Sequence, residues 1–454
     1  MSSGTIPRLY YKPFAETKRL LKGGNVNGQL ESHSSDEPTF GAFVAIDWAD
    51  QKHVWSMQAA SSEQRQYGEI PHTPEAIEAW VGGLFSRFPG QPIALAVEQS
   101  RGALVFMLSK YEHLHIYPIH PRAAAQFRAA LYPSGAKDDP VDANLLLDLL
   151  VHHRGHLRRL SPDTEQTRLV QQLVEARRKL VNEKTRQGNR LTSKLKLYFP
   201  QILTWFNEVD SALVGVLLER WPTLEALQKA RSATLRSFFT QHNCRRAELI
   251  EQRLEQIRQA IPAIRDAAVI QSAVAMVGVL VPLIATLREG IAALDRQIEQ
   301  AAAAHPDFAI FNSFPGAGPV LAPRLLAAFG SQRDRYQSAA EIQQFSGIAP
   351  VLVRSGKTAW VHYRWACPKF LRQTFQEWAG HSIGFCDWAR AYYQQQRKRG
   401  VGHHAAVRAL AFKWIRIAFR CWKDRVLYDD SRYLQSLRQR GSPLAIGGQS
   451  GLAD

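Results

Sequence analysis

Two short apolar runs in the first quarter of the chain each end in an acidic residue. Phe43–Ile46 is followed by Asp47, and Ile93–Val97 is followed by Glu98. Apolar runs of this length are typical of buried strands, and an amphipathic helix is predicted between them over 73–88. Strands alternating with helices predict an α/β layer, and the ligand-binding groups of open α/β sheets collect at strand ends. Both acids are therefore candidate ligands.

A second acidic pair lies in the segment KDDPVDANLLLDLL. Asp139 and Asp142 are three residues apart at a predicted helix start, so both carboxylates lie on one helix face. Phosphoryl-transfer nucleases use carboxylates to hold two Mg²⁺ ions about 4 Å apart, which stabilise the attacking and leaving oxygens. A helix cap explains the same pair, with Asp139 as N-cap and Pro140 at N1. Spacing alone leaves both interpretations open.

The charge of the chain favours a polyanionic partner. Its 57 Lys and Arg against 40 Asp and Glu give a formal net charge of +17, which attracts nucleic acid or an anionic membrane surface. The four cysteines form no CxxC pair, so we predict neither a zinc site nor a disulfide framework and expect a reducing cytosol. Residues 267–287 are uncharged and long enough to span a bilayer. Their polar residues and Pro282 favour a buried or interface helix instead.

The remainder of the chain is predicted to be mainly helical. Residues 161–310 are predicted to form two long helices that enclose shorter ones, an arrangement that resembles a coiled-coil arm. Residues 311–440 form a third region that is basic and rich in aromatics. Residues 1–40 and 441–454 are predicted to be a flexible arm and a flexible tail. The α/β domain then occupies residues 41–160.

Two serines compete as a candidate nucleophile. Ser355 lies in the segment VRSGK, where Arg354 and Lys357 supply positive charge for a phosphate and a glycine allows close approach. Taken alone, a Ser-Gly pair in a basic loop is an ordinary turn. Ser346 has apolar neighbours and is predicted to be a turn or helix-end residue.

A glycine-rich turn precedes both serines. The segment FPGAGPV fits a helix-hairpin-helix, in which Gly316 and Gly318 let backbone N–H groups approach a phosphate at the start of the next helix. A plain Pro-Gly turn between two helices explains the same residues.

Six segments spread over residues 41–440 are the most specific part of the sequence. They are AIDWADQKH, LAVEQSRGAL, YPSGAKDDPVDA, ARRKLVNEKTRQGNRLTSKLKLYFP, FPGAGPVLAPRLLAAFG and FSGIAPVLVRSGK. Together they closely resemble the DEDD transposases of the insertion-sequence one-ten (IS110) family, relatives of the Piv and MooV invertases. The resemblance implies a RuvC-like (ribonuclease-H-like) α/β N-terminal domain, a long helical coiled-coil arm for oligomerisation, and a mainly α C-terminal transposase domain with a helix-hairpin-helix.

The same resemblance implies site residues, a cofactor and partners. The catalytic, metal-binding acids fall on Asp47, Glu98, Asp139 and Asp142, and Ser355 takes the position of the serine that forms a phosphoserine link to DNA. The implied cofactor is Mg²⁺ (or Mn²⁺). The implied partners are double-stranded DNA of the element ends and target, a bridge RNA encoded by the element, and further copies of the chain, as a dimer that assembles to a tetramer. A membrane partner is not expected.

Two other functions fit the same residues. A RuvC-like nuclease cuts DNA by metal-dependent water attack, with Ser355 as a loop residue only. An inactive relative binds nucleic acid as a structural factor, although the presence of all four acids and the serine argues against it.

Overall fold

The computed structural model describes residues 38–131, 139–356, 358–442 and 444. The chain divides into two compact units, with the boundary between Pro162 and Asp163. Almost all of the predicted arm and tail lie outside the described residues, and so does Lys357. Of Asp139, only the backbone is described.

The first unit is built on one five-stranded mixed sheet. Its strands are β1 (Ala42–Asp47), β2 (Lys52–Ala59), β3 (Arg65–Pro71), β4 (Ile93–Val97) and β5 (Leu114–Pro118). Their order across the sheet is β3-β2-β1-β4-β5. The β1–β2 and β2–β3 pairs are antiparallel, whereas the β1–β4 and β4–β5 pairs are parallel. The predicted α/β arrangement is confirmed, and this sheet is compatible with a RuvC-like domain.

Helices pack on both faces of the sheet. They are α1 (Pro74–Arg87), α2 (Ala103–Leu108), α3 (Pro121–Leu131) and α4 (Asp139–His153), with a 3-10 turn at Arg154–His156. Successive strand residues point to opposite faces. Val44 and Leu95 face α1 and α2, whereas Ala45, Ala94 and Ala96 face α3 and α4. Because these alanines carry only a methyl group, α4 packs close to the sheet.

The second unit is mainly helical, as predicted. Its helices within the described residues are α5 (Glu165–Tyr198), α6 (Gln201–Trp205), α7 (Ala212–Arg220), α8 (Leu224–Gln228), α9 (Ser232–Gln241), α10 (Ala247–Gln259), α11 (Ala267–Ala303), α12 (Phe308–Asn312), α13 (Gly318–Phe329), α14 (Ala339–Phe345), α15 (Lys369–Phe385), α16 (Asp387–Lys398), α17 (His403–Asp424) and α18 (Asp430–Gln439), with a 3-10 turn at Arg333–Arg335.

The two long helices of this unit, α5 and α11, run antiparallel to each other. Arg177 near the start of α5 forms an ion pair with Asp295 near the end of α11. Leu195 near the end of α5 shares a core with Val277 of α11. Each helix is about 50 Å long at 1.5 Å per residue. The predicted pair of long helices is therefore observed, and the coiled coil stays a prediction.

The shorter helices form two separate cores at opposite ends of the long pair. Helices α6 to α10 surround one end, and their core contains Phe199, Trp221 and Phe238. Helices α12 to α18 surround the other end, and their core contains Trp378 and Trp414.

Helix α11 contains the apolar segment that raised the membrane question. It is long and apolar enough to cross a bilayer, judged by length and composition alone. One of its faces, which includes Ala273, Val277 and Leu280, is buried, whereas Val279 is 61% exposed. A single helix of this kind is weak evidence for a membrane span, because core helices of soluble proteins have the same composition.

A two-stranded antiparallel hairpin interrupts the helical second unit. It consists of β6 (Val351–Ser355) and β7 (Thr358–His362). All five side chains of β7 are exposed. The sequence pattern does not predict this hairpin, because β7 is exposed throughout and its residues lack the apolar–polar alternation that marks a strand on a core.

Candidate active site

Asp47 and Glu98 lie side by side at one edge of the sheet. Asp47 is the last residue of β1, and Glu98 directly follows β4. These strands are parallel neighbours whose register pairs Ile46 with Val97, so the next residue of each strand is an acid. Neighbouring strands are about 4.8 Å apart. Both acids are half-buried, and the sheet register brings them together.

Both acids continue the sheet face that α4 covers. Asp47 follows Ala45 by two residues and Glu98 follows Ala96 by two residues, so by strand alternation each points to the same side as its alanine. Ala45 and Ala96 are fully buried in the core that contains Leu146 of α4.

Two contacts fix the direction of α4 along β1. Ser56 of β2, the partner of Ala45 in the sheet, donates a hydrogen bond from Oγ to Oδ1 of Asn144 at 2.9 Å. One helical turn later, Asp148 forms an ion pair with Arg65, which lies nearer the beginning of β1. Helix α4 therefore runs antiparallel to β1, and its first turn points towards the strand-end acids.

Distances along the two elements place that first turn at the level of Asp47. Asp47 lies two strand residues beyond Ala45, which is about 7 Å. Going back four residues from Asn144 along α4 covers about 6 Å. The turn that contains Asp139 and Asp142 therefore lies at the same edge as the strand-end acids.

Asp142 already has a positively charged partner. It is 5% exposed, and its carboxylate forms an ion pair with the guanidinium of Arg128 on α3. Among the described side chains, which do not include that of Asp139, no group of three or more His, Cys, Asp or Glu is close enough to hold a metal ion. The acids share an edge without forming a closed ligand cluster.

Ser355 lies at the end of the β6–β7 hairpin rather than in an irregular loop. It is the last residue of β6, it pairs with Thr358, and it is exposed. The hydroxyl of Thr358 donates a hydrogen bond to the carbonyl oxygen of Ser355 at 2.7 Å. Gly356 adopts the left-handed conformation that the tight turn needs, with φ of +54°, and has open space around it. The serine is thus presented at the exposed end of a hairpin strand.

Ser346 is not accessible. It is fully buried at the end of α14, and its Oγ donates a hydrogen bond to the carbonyl oxygen of Gln343 at 3.4 Å. The predicted role of Ser346 as a helix-end residue agrees with this position. Of the two serines, Ser355 alone is exposed to a substrate.

Comparisons with known proteins match both units. Residues 44–200 match a transposase family model, the DEDD transposase of IS110 elements. Residues 309–394 match a second model, described as "Transposase IS116/IS110/IS902 family". This chain belongs to the IS110 family of transposases.

Curated relatives resemble the transposase over most of its length. The "Mini-circle putative transposase for IS117" of Streptomyces coelicolor is 28% identical over 419 residues, which cover 89% of this chain and 99% of the relative. The "Insertion element IS110 uncharacterized 43.6 kDa protein" of the same organism is 26% identical over 87% of this chain and 97% of its own. The "Insertion element IS900 uncharacterized 42 kDa protein" of Mycobacterium paratuberculosis is 26% identical over 68% of this chain. The transposase is therefore an enzyme that acts on DNA.

The DEDD domain suggests that the transposase depends on a divalent metal, and the donor chemistry of its acids fits one. Carboxylate oxygens are the ligands that hard divalent cations prefer. Asp47, Glu98 and Asp142 offer such oxygens at one edge of the sheet. The Arg128 guanidinium now supplies the positive charge that Asp142 needs, so a cation that binds Asp142 competes with Arg128.

The glycines of the predicted helix-hairpin-helix have different surroundings. Gly316 has φ of +73°, and a Cβ there lies 2.8 Å from the backbone nitrogen of Ser382 on α15. Close packing against α15 therefore explains why a glycine stands at 316. Gly318 has φ of +55° with open space around it and is exposed at the start of α13. The helix-hairpin-helix and its contact with DNA stay predictions.

A histidine pair lies on the other face of the sheet. His53 precedes Val54, the sheet partner of Asp47, and so points away from α4. It is fully buried, and its Nε2 is 2.8 Å from Nδ1 of His72. Burial, and secondarily the neighbouring His72, lowers the pKa of His53 to about 4. His53 is therefore neutral at pH 7, and its contact with His72 is part of the packing.

Two features of the site escaped sequence analysis. The local sequence does not indicate that Arg128 belongs to the site, because its partner Asp142 is on a different helix. The sequence also does not indicate that Trp360, two residues beyond the hairpin partner of Ser355, is exposed, because aromatic residues in this region are as often buried.

Proposed function

We propose that this transposase cuts and rejoins DNA with two sets of residues, the strand-end and helix acids of the first unit and Ser355 of the second. Asp47, Glu98, Asp139 and Asp142 bind Mg²⁺ (or Mn²⁺), and Ser355 is the nucleophile. The observation that carries the proposal is the side-by-side placement of Asp47 and Glu98 beneath a helix whose first turn holds the other two acids.

In the proposed reaction Ser355 exchanges one phosphodiester for another. Its Oγ loses a proton and bonds to phosphorus, and the bond from phosphorus to one deoxyribose oxygen breaks, so that a strand leaves with a free hydroxyl. Asp47, Glu98, Asp139 and Asp142 would hold divalent ions, which would supply positive charge to the reacting phosphate. A strand hydroxyl then displaces the serine. Because the joint keeps a phosphodiester at every stage, the strands reseal without ATP.

The proposed nucleic-acid partners are double-stranded DNA of the element ends and target and a bridge RNA. The net charge of +17 supports a polyanionic partner. The RNA rests on the family resemblance alone. Sequencing the RNA that copurifies with the protein tests this point, and the expected transcript is a structured one from the DNA flanking the gene, with loops that pair to the insertion site.

We also propose that copies of the chain associate through α11, first as dimers and then as a tetramer. The exposed face of this helix carries Val269, Met276, Val279 and Leu283. Their spacing of seven, three and four residues is that of a heptad seam. A seam of this kind is stable when a second helix covers it. A cytoplasmic location, on the nucleoid, follows from action on DNA.

The central experiment looks for a covalent protein–DNA adduct. The protein is incubated with DNA of its element ends and Mg²⁺, and the mixture is separated on a denaturing gel. We expect an adduct with the wild type and with Ser346→Ala, the buried serine nine residues away, but none with Ser355→Ala. Cleavage by Ser355→Ala at the wild-type rate indicates the water-attack nuclease instead. Asp142→Asn is expected to abolish cleavage while DNA binding persists.

A further inference from the structure

One of the three exposed tryptophans, Trp360, lies in the hairpin that carries Ser355, whereas Trp365 follows the end of β7 that is far from the serine. Trp360 is 42% exposed and Trp365 is 81% exposed, whereas Trp378 and Trp414 are fully buried. The third exposed tryptophan, Trp48, directly follows Asp47. A tryptophan left in water contributes little to folding, so these side chains are candidates for contacts with a ligand.

The hairpin register places Trp360 on the same face as Ser355. Trp360 is directly opposite Val353, and residues opposite each other in an antiparallel pair share a face. Val353 and Ser355 are two residues apart and therefore also share that face. The indole of Trp360 thus stands about 7 Å along the ribbon from the serine. Val361, next in the strand, points to the opposite face.

The hairpin lies in a basic stretch of the sequence, which favours a polyanion as its ligand. No acidic residue occurs between Glu341 and Glu377, whereas five basic residues do. They are Arg354, Lys357, Arg364, Lys369 and Arg372. Tyr363, just after β7, is flanked by the guanidinium groups of Arg372 and Arg408, which lie 4.7 Å and 4.6 Å from its ring centroid. Aromatic rings in a basic region fit a nucleic-acid strand, because the cations neutralise phosphates while an exposed ring stacks on a base.

We propose that Trp360 is a stacking platform for an unpaired base of the nucleic-acid strand whose phosphate lies at Ser355. The proposal rests on the proposed function, since it takes Ser355 as the place where that phosphate binds. A strand can pass from one duplex to another only when bases beside the exchanged phosphate unpair. The indole replaces the stacking that such a base loses. Trp360 therefore acts as a positioning residue that holds the strand in place for the serine.

The test measures binding of single-stranded DNA without any chemistry. The probe is a fluorescein-labelled oligo-dT of about 12 nucleotides, a length that one binding surface covers, and the signal is its anisotropy in EDTA. All variants carry Ser355→Ala, so that no adduct forms. We expect Trp360→Ala to raise the Kd about 5- to 150-fold, as loss of one stacked base does. We expect Trp360→Phe to retain most of the affinity, because a phenyl ring also stacks.

Val361→Ala is the matched control, because it truncates an exposed apolar side chain of the same strand on the opposite face. We expect its Kd to stay within twofold of the parent. The proposal is wrong if Trp360→Ala binds like the parent, or if Val361→Ala loses as much affinity as Trp360→Ala. A Trp360→Ala variant with unchanged Kd but an altered oligomeric state assigns the indole to a protein contact instead.

Photocrosslinking separates this proposal from the role of Ser355. An oligonucleotide with 5-iododeoxyuridine is irradiated on the protein, and the crosslinked peptide is identified by mass spectrometry. We expect the crosslink on Trp360 in both the Ser355→Ala variant and the wild-type protein. If Trp360 crosslinks but no covalent adduct forms with Ser355, the serine assignment fails and the stacking site stands. If an adduct forms on Ser355 but no crosslink forms at Trp360, the serine assignment stands and the stacking proposal is wrong.

Discussion

Replacing Arg128 tests whether Asp142 binds a metal, and it needs no knowledge of the target DNA. Arg128→Gln removes the guanidinium that now neutralises the Asp142 carboxylate. In EDTA the variant is expected to be less stable than the wild type, because Asp142 is left as a buried acid without its partner. In Mg²⁺ the variant is expected to gain more stability than the wild type, because a cation that binds Asp142 no longer competes with an arginine.

The structure sets the size of both effects. Removing one partner of a fully buried ion pair costs about 3–5 kcal/mol, and an exposed pair is worth about 0–1 kcal/mol. Asp142 is buried, but the Arg128 side chain is 27% exposed, so we expect a cost of about 2 kcal/mol. That cost lowers Tm by about 4–8 °C. A tenfold gain in Mg²⁺ affinity returns about 1.4 kcal/mol at saturating metal, or about 3–6 °C.

The assay is thermal unfolding of the full chain in EDTA and in excess MgCl₂. Arg122→Gln is the control, because Arg122 is an exposed arginine on the same helix and should leave both Tm values unchanged. Asp142→Asn should lose most of the Mg²⁺-dependent shift. If wild type, Arg128→Gln and Asp142→Asn all show the same Mg²⁺-dependent shift, Asp142 is not a ligand and the reasoning fails.

Three further predictions concern oligomerisation, pH and the glycine turn. Val279→Glu places a charge in the exposed seam of α11 and is expected to convert dimers to monomers, as measured by light scattering. Gln271→Glu, at an exposed position of the same helix, is expected to leave the dimer intact. A monomeric wild type contradicts dimerisation through α11. Burial lowers the pKa of His53 from its ordinary value of 6.5 to about 4. Between pH 6.5 and pH 4, therefore, this histidine is protonated in the unfolded chain and neutral in the folded chain. The contribution of neutral His53 to the free energy of unfolding is complete above pH 6.5 and is lost as the pH falls to 4, by up to about 3 kcal/mol. Urea titrations should show this fall in the free energy of unfolding with pH in the wild type and a smaller fall in His53→Gln. An equal fall in both proteins rules the histidine out as the cause. Gly316→Ala introduces a Cβ 2.8 Å from a backbone nitrogen and should cost more than the about 1–2 kcal/mol expected for Gly318→Ala, which has open space; equal losses in chemical denaturation disprove the packing argument.

Local sequence patterns predicted the elements that carry the acids but not their proximity. The apolar runs before Asp47 and Glu98 are strong strand signals because both strands are buried on two faces. That the two strands are neighbours with Ile46 opposite Val97 depends on pairing between segments about fifty residues apart. No local preference encodes such a pairing, and only the family resemblance indicated it.

The hairpin of Ser355 was predicted as a loop for a different physical reason. Strands are recognised by the alternation that burial on a core imposes. β7 packs on no core, since all of its side chains are exposed, and its residues carry no such pattern. The motif VRSGK still indicated a tight turn correctly, because Gly356 has the positive φ that the turn requires.

The three alanines beneath α4 have a consequence for how this enzyme can vary. Ala45, Ala94 and Ala96 determine how near the helix lies to the strands, and so they set the gap between the acids on α4 and those at the strand ends. A substitution such as Ala96→Val touches no substrate, yet it lifts the helix by part of an ångström. Misplacement of a reacting group by about 1 Å can slow catalysis about 100-fold. In the proposed mechanism, these methyl-sized interior residues therefore influence the rate of reaction through the position of α4.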